Sequence, residues 1–315
     1  MLEEHNEQDN NIYSDIDDEL IRLVTSNADA SSQYVVFRNC DDELFAINVA
    51  KVEELIVFDS ISMAKNSASD SIILGVSKIR DNINTIVLFD RWLGRGEKSL
   101  DEYELVMVCN YGSRRIGIVI KNVVTILNID AEKLDNNSDR DPKTAYICEI
   151  IVDGSSRLCS VFDSDKMLFD IFPDIEKNNE SVISKVTQTK NITKEIVIAE
   201  DSKIIQMNIA SLLTKMGVKY SLFANGKEAY DYLLSKSPDE IALIVSDIEM
   251  PIMDGLKFLA ELKKHKEYEI VPFIVHTNMA NTSLSNKAKD LGANWVISKP
   301  DTAELEKRIQ EFARE

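Results

Sequence analysis

Five polar side chains in the last third of the chain stand directly after short apolar runs. They are Glu200, Asp201, Asp247, Thr277 and Lys299. Carboxylates gathered at one place can hold a divalent cation, because Mg²⁺ prefers oxygen ligands and keeps water and phosphate oxygens in its coordination shell. A carboxylate beside such a cation can also accept a phosphoryl group. The residue types therefore predict a site for magnesium and phosphate.

The charges of these residues suggest a role for each. Glu200 and Asp201 would hold the metal and Asp247 would share it while presenting one oxygen to a phosphoryl donor, giving an aspartyl phosphate. Lys299 would neutralise the phosphoryl oxygens. Thr277 would offer its hydroxyl to one of them, and movement of its loop would carry the signal to the surface.

The apolar runs in front of these residues are rich in Val and Ile, which is typical of buried parallel strands. The four runs are Glu195–Ala199, Ile241–Ser246, Val271–His276 and Asn294–Ser298. Helical patterns alternate with them, at Ile204–Met216, Lys227–Ser235, Leu256–His265 and Ser283–Leu291. The alternation predicts a doubly wound α/β sheet, and ligands of such sheets bind beyond the carboxyl ends of the strands. Each acidic residue alone could equally cap a helix or face solvent.

The first half of the chain shows a different periodicity. Short strand-like runs separated by polar turns predict a mostly β domain; they are 34–38, 44–47, 72–77, 85–89, 105–109, 116–120, 146–152 and 157–162. Asp153-Gly154 indicates a hairpin between the last two. A helix over Lys166–Phe172 should close the domain, with Pro173 stopping it. The predicted divisions are a polar tail with a short helix (1–32), the β domain (33–175), a linker (176–193) and the α/β domain (194–315).

Composition excludes several classes of function. The chain has 315 residues and a formal net charge of −18, which disfavours nucleic acid as a partner because phosphate binding needs clustered Lys and Arg. No stretch approaches the roughly 20 apolar residues of a membrane span, so we expect no direct membrane insertion. Four cysteines without CxxC spacing, Cys40, Cys109, Cys148 and Cys159, favour a reduced, cytoplasmic setting.

The β domain lacks a recognisable catalytic set. His5 lies in the polar tail and the next histidine is His265, so no histidine base is at hand for a nucleophile, and a Gly-rich phosphate loop is missing. A binding module is therefore favoured over an enzyme. Two alternatives stay open: an output domain with an undetected catalytic activity under control of the α/β domain, and a DNA-binding regulator, which would need a helix-turn-helix and a basic face.

Residues 194–315 resemble the response-regulator receiver domain. The matching segments are AEDS at 199–202, SDIEMPIMDG at 246–255, HTN at 276–278 and SKP at 298–300. The resemblance implies a flavodoxin-like fold, Asp247 as phosphoacceptor, Glu200 and Asp201 as the acid pair, the backbone carbonyl of Glu249 as a further Mg²⁺ ligand, and switch and phosphate roles for Thr277 and Lys299. A receiver that folds without being phosphorylated is the alternative.

Two departures from the receiver pattern stand out. The acid pair is Glu-Asp instead of Asp-Asp, which is conservative. The position three before Lys299, usually aromatic, is Val296, with Trp295 beside it. The second departure leaves the coupling of Thr277 to the surface undetermined.

Residues 33–172 resemble the CheW-type coupling domain, whose fold is a pair of small β-barrels. The corresponding segments are YVVF at 34–37, VEEL at 52–55, GVSKIRD at 75–81 and IVLFDRWLG at 86–94. Arg80 and Asp90 match the family pattern, whereas Asp81 stands in place of the usual turn glycine. A coupling domain followed by a receiver is the arrangement of the CheV-type family.

That arrangement implies a non-enzymatic adaptor at receptor arrays in the cytoplasm. It would bind chemoreceptor cytoplasmic tails and the histidine kinase CheA, which would also donate phosphate to Asp247. The receiver would regulate the coupling or act as a phosphate sink, and could lose its phosphate to water. Candidate contact residues are exposed Arg80 and the apolar flank Val52, Leu55 and Ile56.

Overall fold

The computed structural model describes residues 33–67, 71–96, 98–112, 114–129, 134–135, 141–189, 192–278 and 282–312. The predicted tail and its helix lie outside these residues. The described residues form two compact units, one within 33–129 and 148–162 and the other within 134–147 and 163–312. No helix among the described residues is long and apolar enough to cross a membrane.

The first unit is mostly β, as predicted. The strands of its two sheets are β1 (Gln33–Arg38), β2 (Leu44–Asn48), β3 (Val52–Val57), β4 (Met63–Lys65), β5 (Ile73–Ile79), β6 (Asn82–Leu88), β7 (Leu105–Tyr111), β8 (Arg114–Ile120), β9 (Asn122–Asn128), β10 (Thr144–Val152) and β11 (Ser155–Phe162). One sheet has the order β10-β11-β2-β1-β9 and the other β3-β7-β8-β6-β5-β4. Two separate sheets agree with the predicted pair of small barrels. The short helix α1 (Phe89–Leu93) follows β6.

An aromatic cluster forms part of the core of this unit. Its members are Phe37, Phe45, Phe89, Trp92 and Phe162, with paired ring centroids 4.9 to 6.0 Å apart. Most pairs meet edge to face, the geometry that the ring quadrupoles favour. The cluster therefore joins β1, β2, α1 and β11, which are distant in sequence.

The hairpin and most strands of the first unit appear where the sequence predicts them. Asp153 and Gly154 have φ of 52° and 75°, as a turn between two antiparallel strands with right-handed twist requires. Strands β3, β4 and β9 were not predicted. Strand β4 has three residues, and β9 has one fully buried residue, so neither shows a clear alternation of apolar and polar positions.

The second unit contains a five-stranded parallel sheet, which confirms the predicted doubly wound fold. Its order is β13-β12-β14-β15-β16, with β12 (Glu195–Ala199), β13 (Tyr220–Phe223), β14 (Ile241–Ser246), β15 (Phe273–Thr277) and β16 (Trp295–Ser298). The helices around it are α4 (Lys203–Met216), α5 (Gly226–Leu234), α6 (Gly255–Leu262), α7 (Thr282–Asp290) and α8 (Thr302–Phe312). Edge strand β13 and helix α8 were not predicted. Every residue of β13 is only partly buried, so its hydrophobic pattern is weak.

Two further helices of this unit precede the sheet, and they differ from the prediction. Helix α2 covers Ser164–Ile171 and α3 covers Pro173–Lys185. Pro173 begins a second helix instead of only ending the first, because a proline at the first helical position loses no hydrogen bond. Residues 176–185 were expected to belong to an irregular linker and are helical. Ile175 and Asn179 are buried, one helical turn apart, and α3 packs against α4 and α8.

Candidate functional site

The parallel register brings the predicted site residues to one edge of the sheet. Ala199 pairs with Ser246, so the residues that follow them, Glu200 and Asp247, leave the sheet side by side. Carboxylate oxygens of Glu200, Asp201 and Asp247 lie within 4.8 Å of one another. Three carboxylates so close together are an oxygen-only donor set, which suits a hard divalent cation such as Mg²⁺.

Lys299 extends from the end of β16 into the same cluster. Its Nζ lies 2.8 Å from Glu200 Oε2 and 2.8 Å from Asp247 Oδ2. All three side chains are almost completely buried, at most 1% exposed. The peptide bond between Lys299 and Pro300 is cis. The lysine thus bridges the predicted phosphoacceptor and one member of the predicted acid pair.

The cluster carries more negative than positive charge. Burial raises the pKa of Glu200 well above its ordinary value; Lys299 opposes that rise, and the charges of Asp247, Asp201 and Asp165 add to it. One ammonium cannot balance three carboxylates, of which those of Glu200 and Asp247 are buried and that of Asp201 is partly buried. A bound divalent cation would balance the remaining charge. The residues present therefore fit Mg²⁺ both in donor chemistry and in charge.

Backbone groups fix the orientation of the carboxylates. The Ile248 N–H donates to Asp247 Oδ1 at 2.6 Å, and the Ser202 N–H donates to Glu200 Oε1 at 3.2 Å. Gly255, at the start of α6, approaches the Asp247 carbonyl so closely that a Cβ there would lie 1.9 Å from its oxygen. The glycine is thus required for the backbone of Asp247 to occupy its position.

Thr277 ends β15 and is fully buried. Its Oγ1 donates to Glu249 Oε1 at 2.7 Å, and both groups are buried. Sequence reasoning gave Glu249 only a main-chain role, as a metal ligand, and missed this side-chain contact. The main-chain role stays a prediction. The contact could not be read from the sequence because Glu249 and Thr277 are 28 positions apart and meet only after the sheet forms.

Val296 occupies the position that is usually aromatic in receiver domains, and its side chain and that of the neighbouring Trp295 point in different directions. Val296 packs against the core cluster around β14 and β15, whereas the ring of Trp295 lies against Arg308 of α8, whose guanidinium carbon is 3.4 Å from the ring centroid. Adjacent strand residues face opposite sides of a sheet. Trp295 therefore does not replace an aromatic side chain at position 296.

The candidate contact residues of the first unit separate into buried and exposed. Val52 and Leu55 are buried in the core, and Ile56 is partly buried against it, so the expectation that these three form an apolar contact surface is corrected. Leu55 and Ile56 are adjacent in β3 and face opposite sides of the sheet, so their burial shows that both faces are covered at this point of the strand. Arg80, with φ of 51° in the β5–β6 turn, is 76% exposed at its side chain and lies 2.8 Å from Glu54. Arg80 alone of the four presents its side chain to solvent.

Comparison with known proteins agrees with this two-part organisation. The family model of the CheW-like domain matches residues 33–172, and that of the response regulator receiver domain matches residues 196–310. The chemotaxis protein CheV1 of Helicobacter pylori is 25% identical over 294 residues, which cover 86% of this chain and 89% of that protein. CheV2 of the same organism is 24% identical over 294 residues, 89% of this chain and 94% of that protein.

A solved structure is similar to the first part of the chain. The scaffolding protein TtCheW from Thermoanaerobacter tengcongensis aligns with a TM-score of 0.37 and 15% identity, covering 42% of this chain and 88% of that one.

The fold and the acidic cluster, together with these matches, define a two-domain signalling protein in which a CheW-like domain precedes a response regulator receiver domain. In this order of domains, and over most of its length, the chain is similar to the CheV-type chemotaxis proteins. The two domains make it a chemotaxis signalling adaptor, and the CheV-type proteins to which it is similar are not a family of catalytic enzymes.

Proposed function

We propose that the adaptor is regulated by phosphorylation of Asp247, with Mg²⁺ held by Glu200, Asp201 and Asp247 and by the main-chain carbonyl of Glu249. The observation that carries the proposal is the buried triad in which Lys299 lies 2.8 Å from both Glu200 and Asp247, while Asp201 completes a group of three carboxylates. Bound Mg²⁺ would offset the charge of an incoming phosphoryl group.

The chain's own residues would act in sequence. A carboxylate oxygen of Asp247 attacks phosphorus, the bond from phosphorus to the donor breaks, and the donor leaves with that electron pair. Lys299 then exchanges its contact with Asp247 Oδ2 for the phosphoryl oxygens. The Ile248 N–H continues to hold Oδ1. Hydrolysis of the aspartyl phosphate by water would restore the carboxylate, so that the receiver could act as a phosphate sink.

Thr277 would change partners during this cycle. In the present geometry its hydroxyl donates to Glu249. A phosphoryl oxygen with its larger negative charge is a stronger acceptor than that carboxylate. Movement of Thr277 toward it would shift the loop that follows β15, and this shift would be the output of the receiver.

The partners we propose are chemoreceptor cytoplasmic tails and the histidine kinase CheA, with CheA also the phosphodonor. The proposed location is the cytoplasmic face of receptor arrays. The CheW-like match over 33–172 and the similarity to chemotaxis proteins support this assignment. Arg80 is the residue that we propose to contact a partner, because its side chain is exposed on a tight turn.

Replacing Asp247 with Asn tests the acceptor. We expect the full-length variant to lose all labelling by a small phosphodonor in the presence of Mg²⁺, because the amide nitrogen cannot form an acyl phosphate, while the nearly isosteric change keeps the fold. Asp254→Asn is the matched control. It removes one charge from the same loop and preserves the helix cap on the Lys257 N–H, since Asn caps as well as Asp. Hydroxylamine-sensitive phosphate persisting in Asp247→Asn would exclude Asp247.

A further inference from the structure

The first turn of helix α2 lies against the loops of the receiver site. Asp165 accepts a hydrogen bond from Asn278 Nδ2 at 2.7 Å, and both side chains are buried. Asn278 directly follows Thr277. An acidic side chain that is 113 positions away in sequence is therefore anchored beside the switch threonine.

A second acidic side chain anchors the same turn to the other side of the site. Asp163 accepts from Ser202 Oγ, which lies 3.3 Å from Oδ1 and 3.2 Å from Oδ2. Ser202 directly follows the acid pair Glu200-Asp201. Asp163 also caps α2 by accepting from the Lys166 N–H at 2.9 Å. We call Asp163 and Asp165 the acidic clasp.

The clasp adds negative charge where negative charge is already in excess. Hydrogen bonds hold Asp165 to Asn278, which follows Thr277, and Asp163 to Ser202, which follows Asp201, so both carboxylates lie beside the acidic site. The N-terminus of a helix carries only about half a positive charge. Two carboxylates at that end outweigh it, so the first turn of α2 presents net negative charge to the site.

Helices α2 and α3 are separate helices joined by Phe172 alone, and α3 packs against α4 and α8 of the receiver fold. The CheW-like match extends to residue 172 and so includes α2, although α2 belongs structurally to the receiver-containing unit. This helix is thus a segment of the coupling-domain sequence that is held by the receiver's phosphorylation site.

We propose that the acidic clasp senses the phosphoryl group: the negative charge added at Asp247 repels Asp163 and Asp165, and α2 with α3 is released from the receiver. The inference rests on the proposed phosphorylation of Asp247. Coupling between two sites is reciprocal. A partner that draws α2 away from the receiver should therefore make Asp247 a better phosphate acceptor.

Amide hydrogen exchange of the full-length protein, with and without Mg²⁺ and beryllofluoride as a phosphoryl mimic, tests the release. We expect amides of residues 166–184 to exchange at least about fivefold faster in the adduct, a factor within the usual range of coupling between sites. Fluorine NMR of the bound beryllofluoride reports independently whether the adduct has formed.

Three variants separate charge from structure. The double variant Asp163→Asn with Asp165→Asn keeps the helix cap and one acceptor oxygen at each position but removes both charges, so the adduct should accelerate its exchange less than about twofold. If the double variant misfolds, the single variant Asp165→Asn replaces it. Its acceleration should lie between those of the double variant and wild type. Asp170→Asn is the control, because it removes a charge from the same helix at an ion pair with Lys166 and should respond as the wild type does.

The outcomes distinguish the two levels of the proposal. If the adduct forms and exchange over 166–184 stays unchanged or slows, the clasp is not a sensor, although Asp247 can still be the acceptor. The proposal also fails if the adduct accelerates exchange in the Asp163→Asn/Asp165→Asn and Asp165→Asn variants as much as in wild type. If no adduct forms with wild type, phosphorylation of Asp247 and the clasp mechanism both fail.

Discussion

Lys299 shows how much of the receiver site depends on a single side chain. Its ammonium is buried between Glu200 and Asp247. Buried ion pairs contribute little net stability while intact, but removing one partner leaves the other charge uncompensated. Lys299 therefore has a structural role in the metal-free protein as well as the proposed role in phosphate binding.

Replacing Lys299 with Met should destabilise the receiver by about 3–5 kcal/mol without Mg²⁺. Mg²⁺ should restore part of the lost stability. It should also bind to the variant more tightly than to wild type, because the Lys299 ammonium no longer competes for the carboxylates. The measurement is urea unfolding followed by Trp295 fluorescence in a Trp92→Phe background. Lys257→Met, at an exposed position of α6, is the control. Equal stability of the two variants would contradict the prediction.

His276 gives a pH-dependent prediction. Burial, with the charge of Lys299 adding to it, lowers its pKa from 6.5 to about 3, and neither ring nitrogen has a hydrogen-bond partner among the described residues. Below pH 6.5 the ring of His276 binds a proton in the unfolded state, whereas in the folded state it stays neutral until the pH approaches 3. Stability contributed by the neutral ring is therefore present above pH 6.5 and is lost progressively as the pH falls toward 3.

The variant His276→Leu should escape this acid destabilisation. Near pH 7.5 we expect it to be about as stable as wild type, since an unpaired buried polar group is replaced by an apolar one. At pH 5.5 the variant should gain about 1.4 kcal/mol relative to wild type, and about as much again for each further pH unit. Unfolding curves followed by Trp295 at three pH values check this. A constant difference between the proteins would show that His276 can be protonated in the folded state.

At the scale of elements, helix α3 is the largest departure from expectation. Its composition, with Asn, Ser, Glu and Lys prominent, is that of a solvated linker, and only a few apolar residues mark one face. Ile175 and Ile183 are spaced so that they share that face; Ile175 is buried, and so is Val186, the residue directly after the helix. Packing against α4 and α8 stabilises a helix that would be marginal alone.

Limited proteolysis tests this helix. In wild type we expect trypsin to cleave slowly at Lys177 and Lys185, because both lie in a packed helix. Ile175→Ala should accelerate cleavage at least about tenfold, since truncating a buried Ile costs roughly 2–5 kcal/mol. Ser181→Ala, on the exposed face of α3, should cleave as wild type does. Rapid cleavage of wild type at Lys177 or Lys185 would contradict a packed helix and support the prediction of an irregular linker.

At the scale of the whole molecule, the two matched domains imply two separable activities. Arg80→Glu reverses an exposed charge on the CheW-like domain and juxtaposes it with Glu54, whereas Asp247→Asn alters only the receiver site. We expect Arg80→Glu to weaken co-sedimentation of the full chain with receptor-containing membranes and CheA by about tenfold or more, because mismatched interface charges cost several kcal/mol. Phosphorylation by a small donor should be unaffected.

The reciprocal variant completes this test. Asp247→Asn should co-sediment like unmodified protein while losing all labelling. Because Arg80→Glu also loses the ion pair to Glu54, Arg80→Ala with Glu54→Gln controls for the fold of the β5–β6 turn. Unimpaired co-sedimentation of Arg80→Glu would exclude the turn as a contact and leave the partner surface elsewhere on the first domain.

Local sequence patterns predicted the order of the two domains, the parallel α/β sheet and the convergence of acidic side chains at one edge of that sheet. Those features depend on local hydrophobic periodicity and on residues that directly follow strands, so the convergence of Glu200, Asp247 and Lys299 could be predicted before any distance was known. Eight strands of the first domain and the Asp153-Gly154 turn are likewise encoded by nearby residues.

The contacts between side chains that are far apart in sequence could be identified only in the folded protein. Burial of Val52 and Leu55, the Thr277–Glu249 hydrogen bond, the packing of α3 and the contacts of the acidic clasp join residues from different elements. A short apolar or acidic segment could pack against several partners. Which partner it contacts depends on how all segments of the chain bury their surfaces together. Such contacts therefore cannot be inferred from the neighbouring residues alone.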